Sequence, residues 1–197
     1  MKAILPIIEG QSEEESVPIL LRKFRDKIGA FSIHISRPFR IKRNNIVKEG
    51  ELERAIEYGL RDRTNVGAIF ILLDADDDCP VVLANQLRVR CRSITSLPVA
   101  VVVANRELEG WFLGGKESLR GIRSIRMDAT GPTNPEDIRG AKERLSQNME
   151  NGARYIAVDD QPAFATDLDF ELTRSRCRSF QKFLTEAQHL FSILLKN

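Results

Sequence analysis

The sequence is poor in the residues from which many metal and hydrolase sites are built. It has two histidines, His34 and His189, far apart in the chain. A histidine-based metal site or a Ser-His-Asp triad therefore has little to build on. Its three cysteines, Cys79, Cys91 and Cys177, are odd in number and lack CxxC spacing, which argues against a disulfide framework or a zinc site. No apolar run approaches the ~20 residues needed to cross a bilayer. The first fifteen residues, MKAILPIIEGQSEEE, hold one lysine and a six-residue apolar run that ends in acid. A secretory signal needs a longer apolar region and a small-residue cleavage site, so the start reads as the first strand of a mature cytosolic protein without membrane association. A P-loop is missing too: Gly114, Gly115 and Lys116 lack the GxxxxGK[ST] spacing, and ATP hydrolysis would have to come from another chain.

What the sequence does hold is apolar bulk, at 42% of residues, enough to exclude wholesale disorder and to fill the core of one domain. The spacing predicts a strand over 3–8, with Pro6 implying an edge or an irregularity. A helix follows over 13–28, with Ser12 as N-cap, acids in its first turn and Gly29 at its end. Residues 31–36 alternate as a strand, and a basic loop runs on through Asn44 and Asn45. Helical spacing returns over 50–63 and 80–94, and the continuous apolar runs 66–73 and 98–104 read as strands buried on both faces. This alternation predicts an α/β fold with a mostly parallel sheet flanked by helices. Beyond it come a short helix over 106–113, a Gly-, Pro- and Arg-rich surface excursion over 114–135, a helix over 135–150 and two helices over 167–195. The division expected is a core over 1–113 and a helical C-terminal extension over 114–197, packed as one unit.

In an open parallel sheet, ligands bind beyond the carboxyl ends of the strands. Glu9 lies just past the first strand and Asp74 just past the strand 66–73, so both belong to that rim. Gly10 permits a tight turn, Glu13 can reach back from the next helix, and a short turn lets Asp76 approach the same ion as Asp74. Asp78 extends the acidic cluster, while Glu107 and Glu109 follow the strand 98–104 onto the same rim. On a helix those last two diverge by about 200°, so one faces the rim and the other a different partner. Carboxylates this close raise one another's pKa, and a divalent cation relieves the repulsion. Oxygen-only ligands select Mg²⁺ or Mn²⁺. Arg37, Arg40, Lys42 and Arg43 are four cations in seven residues. An acidic centre with basic surroundings suits a metal site that handles a polyanion such as DNA or RNA.

The set E-G-x-x-E after strand one and D-x-D after a later strand, in a small parallel α/β unit, resembles the Toprim domain of topoisomerases, bacterial primases, small maturation ribonucleases and OLD-family nucleases. Glu9, Gly10 and Glu13 match the first motif, Asp74 and Asp76 the second. A closer resemblance spans nearly the whole chain. It is to a Toprim-like bacterial family encoded beside an ABC- or OLD-like ATPase, and rests on residues 8–14, 72–80 and 103–113. The resemblance implies a Mg²⁺- or Mn²⁺-dependent nuclease with Glu9 as base or ligand and the aspartates holding metal, an ATPase partner, and a role in phage defence. Homo-oligomer formation stays allowed. The nuclease relatives place a lysine after the acidic motifs. Residues 155–160 hold none, which leaves Lys142 or Arg154 as substitutes and keeps a non-catalytic partner of an ATPase as the second reading. A phospho-receiver domain fits less well, since it needs an acidic pair where Glu9 and Gly10 stand.

Overall fold

The computed structural model describes residues 1–196. Strands β1 (Ala3–Ile8), β2 (His34–Ile35), β3 (Phe39–Arg40), β4 (Val66–Asp74) and β5 (Val99–Ala104) form one sheet in the order β2-β1-β4-β5, with β3 also on β1 and every pairing parallel. The expected mostly parallel α/β architecture, with a helical C-terminal part, is what the chain adopts.

β1 lies inside the sheet despite Pro6. The carbonyls of Lys2, Ile4 and Ile8 accept from the amides of His34, Ser36 and Ile41, so even-numbered backbone groups face β2 and β3. The nitrogen of Pro6, which cannot donate, therefore faces the break between those two short strands. The irregularity expected from Pro6 is realised as this split, and the single strand expected over 31–36 shrinks to two residues.

Alternate residues of β1, β4 and β5 enter two cores. Leu5, Ile7, Ile69, Ile71, Leu73, Val101 and Val103 meet α2 (Arg43–Ile46), α3 (Glu51–Arg61) and α4 (Pro80–Arg92). Ile4, Ile8, Phe70, Leu72 and Val102 face the larger core. That side carries α1 (Glu13–Lys27), α5 (Glu109–Gly114), α6 (Ala141–Ser146), α7 (Ala157–Asp167), α8 (Phe170–Arg176) and α9 (Arg178–Lys196). Phe183 of α9 stands edge-on to Phe70, ring centroids 5.2 Å apart, and Phe180 meets Trp111 at 5.1 Å.

The segment 114–135 departs from a surface excursion. Leu119, Ile125 and Ala129 are buried in the larger core, and Lys116 is buried with its Nζ on the Thr130 carbonyl at 3.0 Å. The helix expected over 135–150 is a 3-10 turn, Pro135–Asp137, followed by the short α6. Glu136 explains the interruption. Its buried carboxylate accepts from the amides of Arg178 (2.8 Å) and Ser179 (3.0 Å), capping α9 from a distant part of the chain. Most of α7 falls before the two C-terminal helices expected from the sequence, in a stretch where no helix is expected.

Candidate metal centre

Because β1 and β4 are parallel neighbours, their carboxyl ends deliver Glu9 and Asp74 to one rim. Glu13 arrives from the first turn of α1. Ser12 holds the N-cap position without a side-chain cap bond. The Glu13 carboxylate turns back instead, its Oε2 accepting from the amides of Glu9 (3.2 Å) and Gly10 (3.3 Å). A Cβ at position 10 would sit 2.8 Å from Glu13 Oε1, so glycine is what lets the carboxylate lie there.

Glu9, Glu13 and Asp74 each offer an oxygen within 4.8 Å of the other two. Each also has one oxygen fixed by backbone: Glu9 Oε2 accepts from Asp74 N at 3.4 Å, and Asp74 Oδ1 from Leu108 N at 2.8 Å. Burial first, then the neighbouring acids, makes ionising all three costly. Glu9 is pushed up to about 7, mainly by burial and against the pull of the Asp74 amide and Arg43. Glu13 rises to about 7 through burial and the charge of Glu9. Asp74 rises well above the usual carboxylate range through burial, then Glu13, Glu109 and Glu9. Three converging oxygens with unspent charge are a donor set that fits a hard divalent cation.

The other sequence-nominated acids stand apart from this trio. Arg43 reaches from α2 to Asp76 Oδ2 (3.0 Å), Asp78 Oδ2 (2.6 Å) and the Ala75 carbonyl (3.0 Å). Asp76, at φ 51°, and Asp78 are both solvent-exposed and held by that guanidinium. Glu109 points inward, where Oε1 accepts from Tyr155 OH (3.1 Å) and Gln161 Nε2 (3.0 Å). Gln161 in turn accepts from Ser16 Oγ at 2.9 Å, tying α7 to α1 behind the trio. Tyr155 is consequently held far toward its neutral form, by burial first and then by Glu109. Glu107 is partly exposed, one of the acids that raise the pKa of Lys142.

Lys142, an exposed residue of α6, brings a cation to the edge of the acids. Its Nζ lies 3.8 Å from Glu109 Oε1, and Glu109, Glu107, Asp74 and Glu13 all favour its charged form. Arg154 takes part in no ion pair among the described residues. Of the basic run, Arg43 is turned to the acids, Arg40 pairs with Glu14 at 3.3 Å, and Arg37 and Lys42 are exposed. Tyr155, Gln161 and Ser16 carry no local motif; only the fold reveals them as the support of Glu109.

The chain belongs to the family described as "Domain of unknown function (DUF4276)", whose match covers residues 8–187. Among solved structures it is similar to the C-terminal region of the Xanthomonas campestris pv. campestris OLD protein. The alignment covers 98% of each chain at 14% identity and a TM-score of 0.51. At that identity the likeness is one of fold. No curated protein matches it. Among the described residues, no helix is long and apolar enough to cross a membrane.

Proposed function

We propose that this member of the DUF4276 family is a Toprim-like, Mg²⁺- or Mn²⁺-dependent phosphodiesterase that cleaves nucleic acid in concert with an ATPase. The convergence of Glu9, Glu13 and Asp74 carries the reading. A hydrolase acting on phosphodiesters needs a place where negative charge is concentrated until a cation meets it, and this rim is such a place. When bound, the ion would polarise a phosphoryl oxygen and lower the pKa of a water.

Glu13, buried with its Oε2 on two backbone amides, and Asp74, whose Oδ1 accepts from Leu108 N at 2.8 Å, are proposed as the fixed ligands, Glu9 being held by a single longer bond of 3.4 Å. Glu9 is the ligand more open to solvent, suited to accept a proton from a nucleophile at its Oε1. Lys142, whose Nζ lies 3.8 Å from Glu109 Oε1, is proposed as the substitute for the lysine of the nuclease relatives, and its charge beside the acids supports turnover over a purely recognition role. The engagement of Asp76 and Asp78 by Arg43 favours one ion over two. Glu107, Glu109 and Lys142 then shape the field around it. Arg37, Arg40 and Lys42 would meet the phosphate backbone, and the fold likeness to part of an OLD protein supports an ATPase as partner.

The test is cleavage of single- and double-stranded DNA and RNA in Mn²⁺. Wild-type protein is expected to cut, and Asp74→Ala to lose at least 100-fold, on the order of one essential electrostatic group, with an unchanged circular dichroism spectrum. Wild-type activity retained in the variant would overturn the site. No cleavage of any substrate by wild-type protein, alone or with a co-purifying ATPase, would leave the second reading, a non-catalytic partner.

A further inference from the structure

The carboxylate trio stands at the ends of β1 and β4, with β3 on one flank and β5 on the other. Arg40 lies on the β3 flank. On the β5 flank the chain turns at Arg106, whose φ of 61° is left-handed. The Cβ of an arginine is crowded in that conformation, which a glycine would adopt freely. The turn is nonetheless fixed. The Arg106 carbonyl accepts from Asp76 N at 3.0 Å, and two residues on the Leu108 amide holds Asp74. Backbone strain kept at such a rim points to use of the side chain it aims. The Arg106 guanidinium meets that of Arg139, which precedes α6. Both turn to one atom, Asp77 Oδ1, Arg139 Nη2 at 2.8 Å and Arg106 Nη1 at 3.6 Å. Neither arginine has another ion pair among the described residues. Arg43 covers the acids on either side, Asp76 and Asp78. Two guanidinium groups thus share one carboxylate and keep a net positive charge. Like charges this close repel, so the pair calls for an anion between them.

Given the reading of the rim as a nucleic-acid site, on which this rests, we propose that Arg106 and Arg139 hold a backbone phosphate on the β5 side of the trio, and that Asp77 occupies the place until the phosphate displaces it. A phosphodiester carries the same single charge as Asp77, and guanidinium matches its oxygens as it matches those of a carboxylate. From β3 to β5 is three strand spacings, about 14 Å. That distance spans about four phosphates at the ~3.4 Å rise of one strand of a duplex. A chain lying across the rim therefore has cations beneath both ends and the carboxylate trio between them. Asp77 is suited to yield, because its carboxylate is 75% exposed and ion pairs of that kind are weak. Glu107, on the same flank, is offset by the neighbouring Lys142.

Fluorescence anisotropy of labelled single-stranded DNA and RNA in EDTA reads binding by the full chain without cleavage. Wild-type protein is expected to bind with a salt-dependent affinity. Arg106→Gln and Arg139→Gln should each weaken binding about three- to tenfold and take about 0.7 from the slope of log affinity against log salt. Asp77→Asn should tighten it about two- to fivefold, the weight of the exposed ion pair it removes. Glu57→Gln makes the same charge change at an exposed acid of α3 that has no ion pair among the described residues; its effect should be smaller, since salt screens distant charge. Arg106→Gly separates folding from binding. Glycine takes a φ of 61° without strain, so this variant should melt no lower than wild type and still bind as weakly as Arg106→Gln. Arginine variants that bind like wild type overturn the proposal and leave the reading of the trio intact. An effect of Asp77→Asn no larger than that of Glu57→Gln overturns Asp77 as the stand-in. Failure of wild-type protein to bind either strand overturns the nucleic-acid reading itself, and this site with it.

Discussion

Glu9 and Glu13 hold their protons to about pH 7 in the fold, against an ordinary value of 4.5, and the direction of that shift sets how the protein responds to pH. The folded chain binds these protons more tightly than the unfolded one. Their contribution to stability is fully present below about pH 4.5 and lost as pH rises through about 7. A divalent cation competes with the same protons. Thermal melts should therefore show the metal-free protein weakening across that window, and Mn²⁺ raising the melting temperature more at about pH 8 than at about pH 5. An equal rise at both values, or none, would remove the carboxylate trio as the binding site. Gly10 gives a second test at this scale. With a Cβ 2.8 Å from Glu13 Oε1, Gly10→Ala must push the carboxylate aside. Mn²⁺ affinity, read by paramagnetic resonance, should fall about tenfold or more although no ligand is removed, in the range seen for changes to groups that orient ligands.

At the scale of elements, the polar chain Ser16–Gln161–Glu109–Tyr155 joins α1, α7 and α5 behind the rim. Gln161→Leu would deprive a buried carboxylate of a donor and leave Ser16 without its acceptor. Urea unfolding should show a loss of about 1–3 kcal/mol; a neutral result would mean the chain is ornamental. This network also marks where the sequence stops being informative. Strands β1, β4 and β5 are legible because they are continuous apolar runs, and the placement of Glu9 and Asp74 follows from strand polarity alone. The trio's third member is legible as well, because Glu13 opens a helix with clear 3–4 spacing. Glu109 follows a strand onto the rim by sequence, but its inward turn depends on Tyr155 and Gln161, about fifty residues away, and no local pattern announces that. Two other features are hidden for related reasons. α7 contains Pro162 and exposes Val158, which blurs its periodicity. The segment 114–135 is anchored by isolated apolar residues, without any period to read.

For the molecule as a whole, charge is nearly balanced at +2, so any attraction to a polyanion must come from local distribution. The exposed Arg37, Arg40 and Lys42 lie between β2 and α2, on the side of the sheet's carboxyl end. Replacing all three by glutamine should reduce the slope of log affinity for nucleic acid against log salt by about 2–3, at roughly 0.7–0.9 for each phosphate no longer neutralised, without altering Mn²⁺ binding. An unchanged slope would place the nucleic-acid path elsewhere.

The position of α9 in the chain has a consequence for synthesis. Its Phe183 covers Phe70, and Leu194 lies 2.7 Å from where a Cβ on Gly67 would stand. One face of β4 therefore stays bare on the ribosome until residues beyond 178 have emerged. Pairings between β1 and β4 can form early, but their apolar underside waits for a helix made more than a hundred residues later. Such long sequence separation slows folding and prolongs the life of a sticky intermediate. Premature termination before α9 should yield a chain that is captured by chaperones or degraded, with its carboxylates already assembled but no lid over the hydrophobic side of the sheet that carries them.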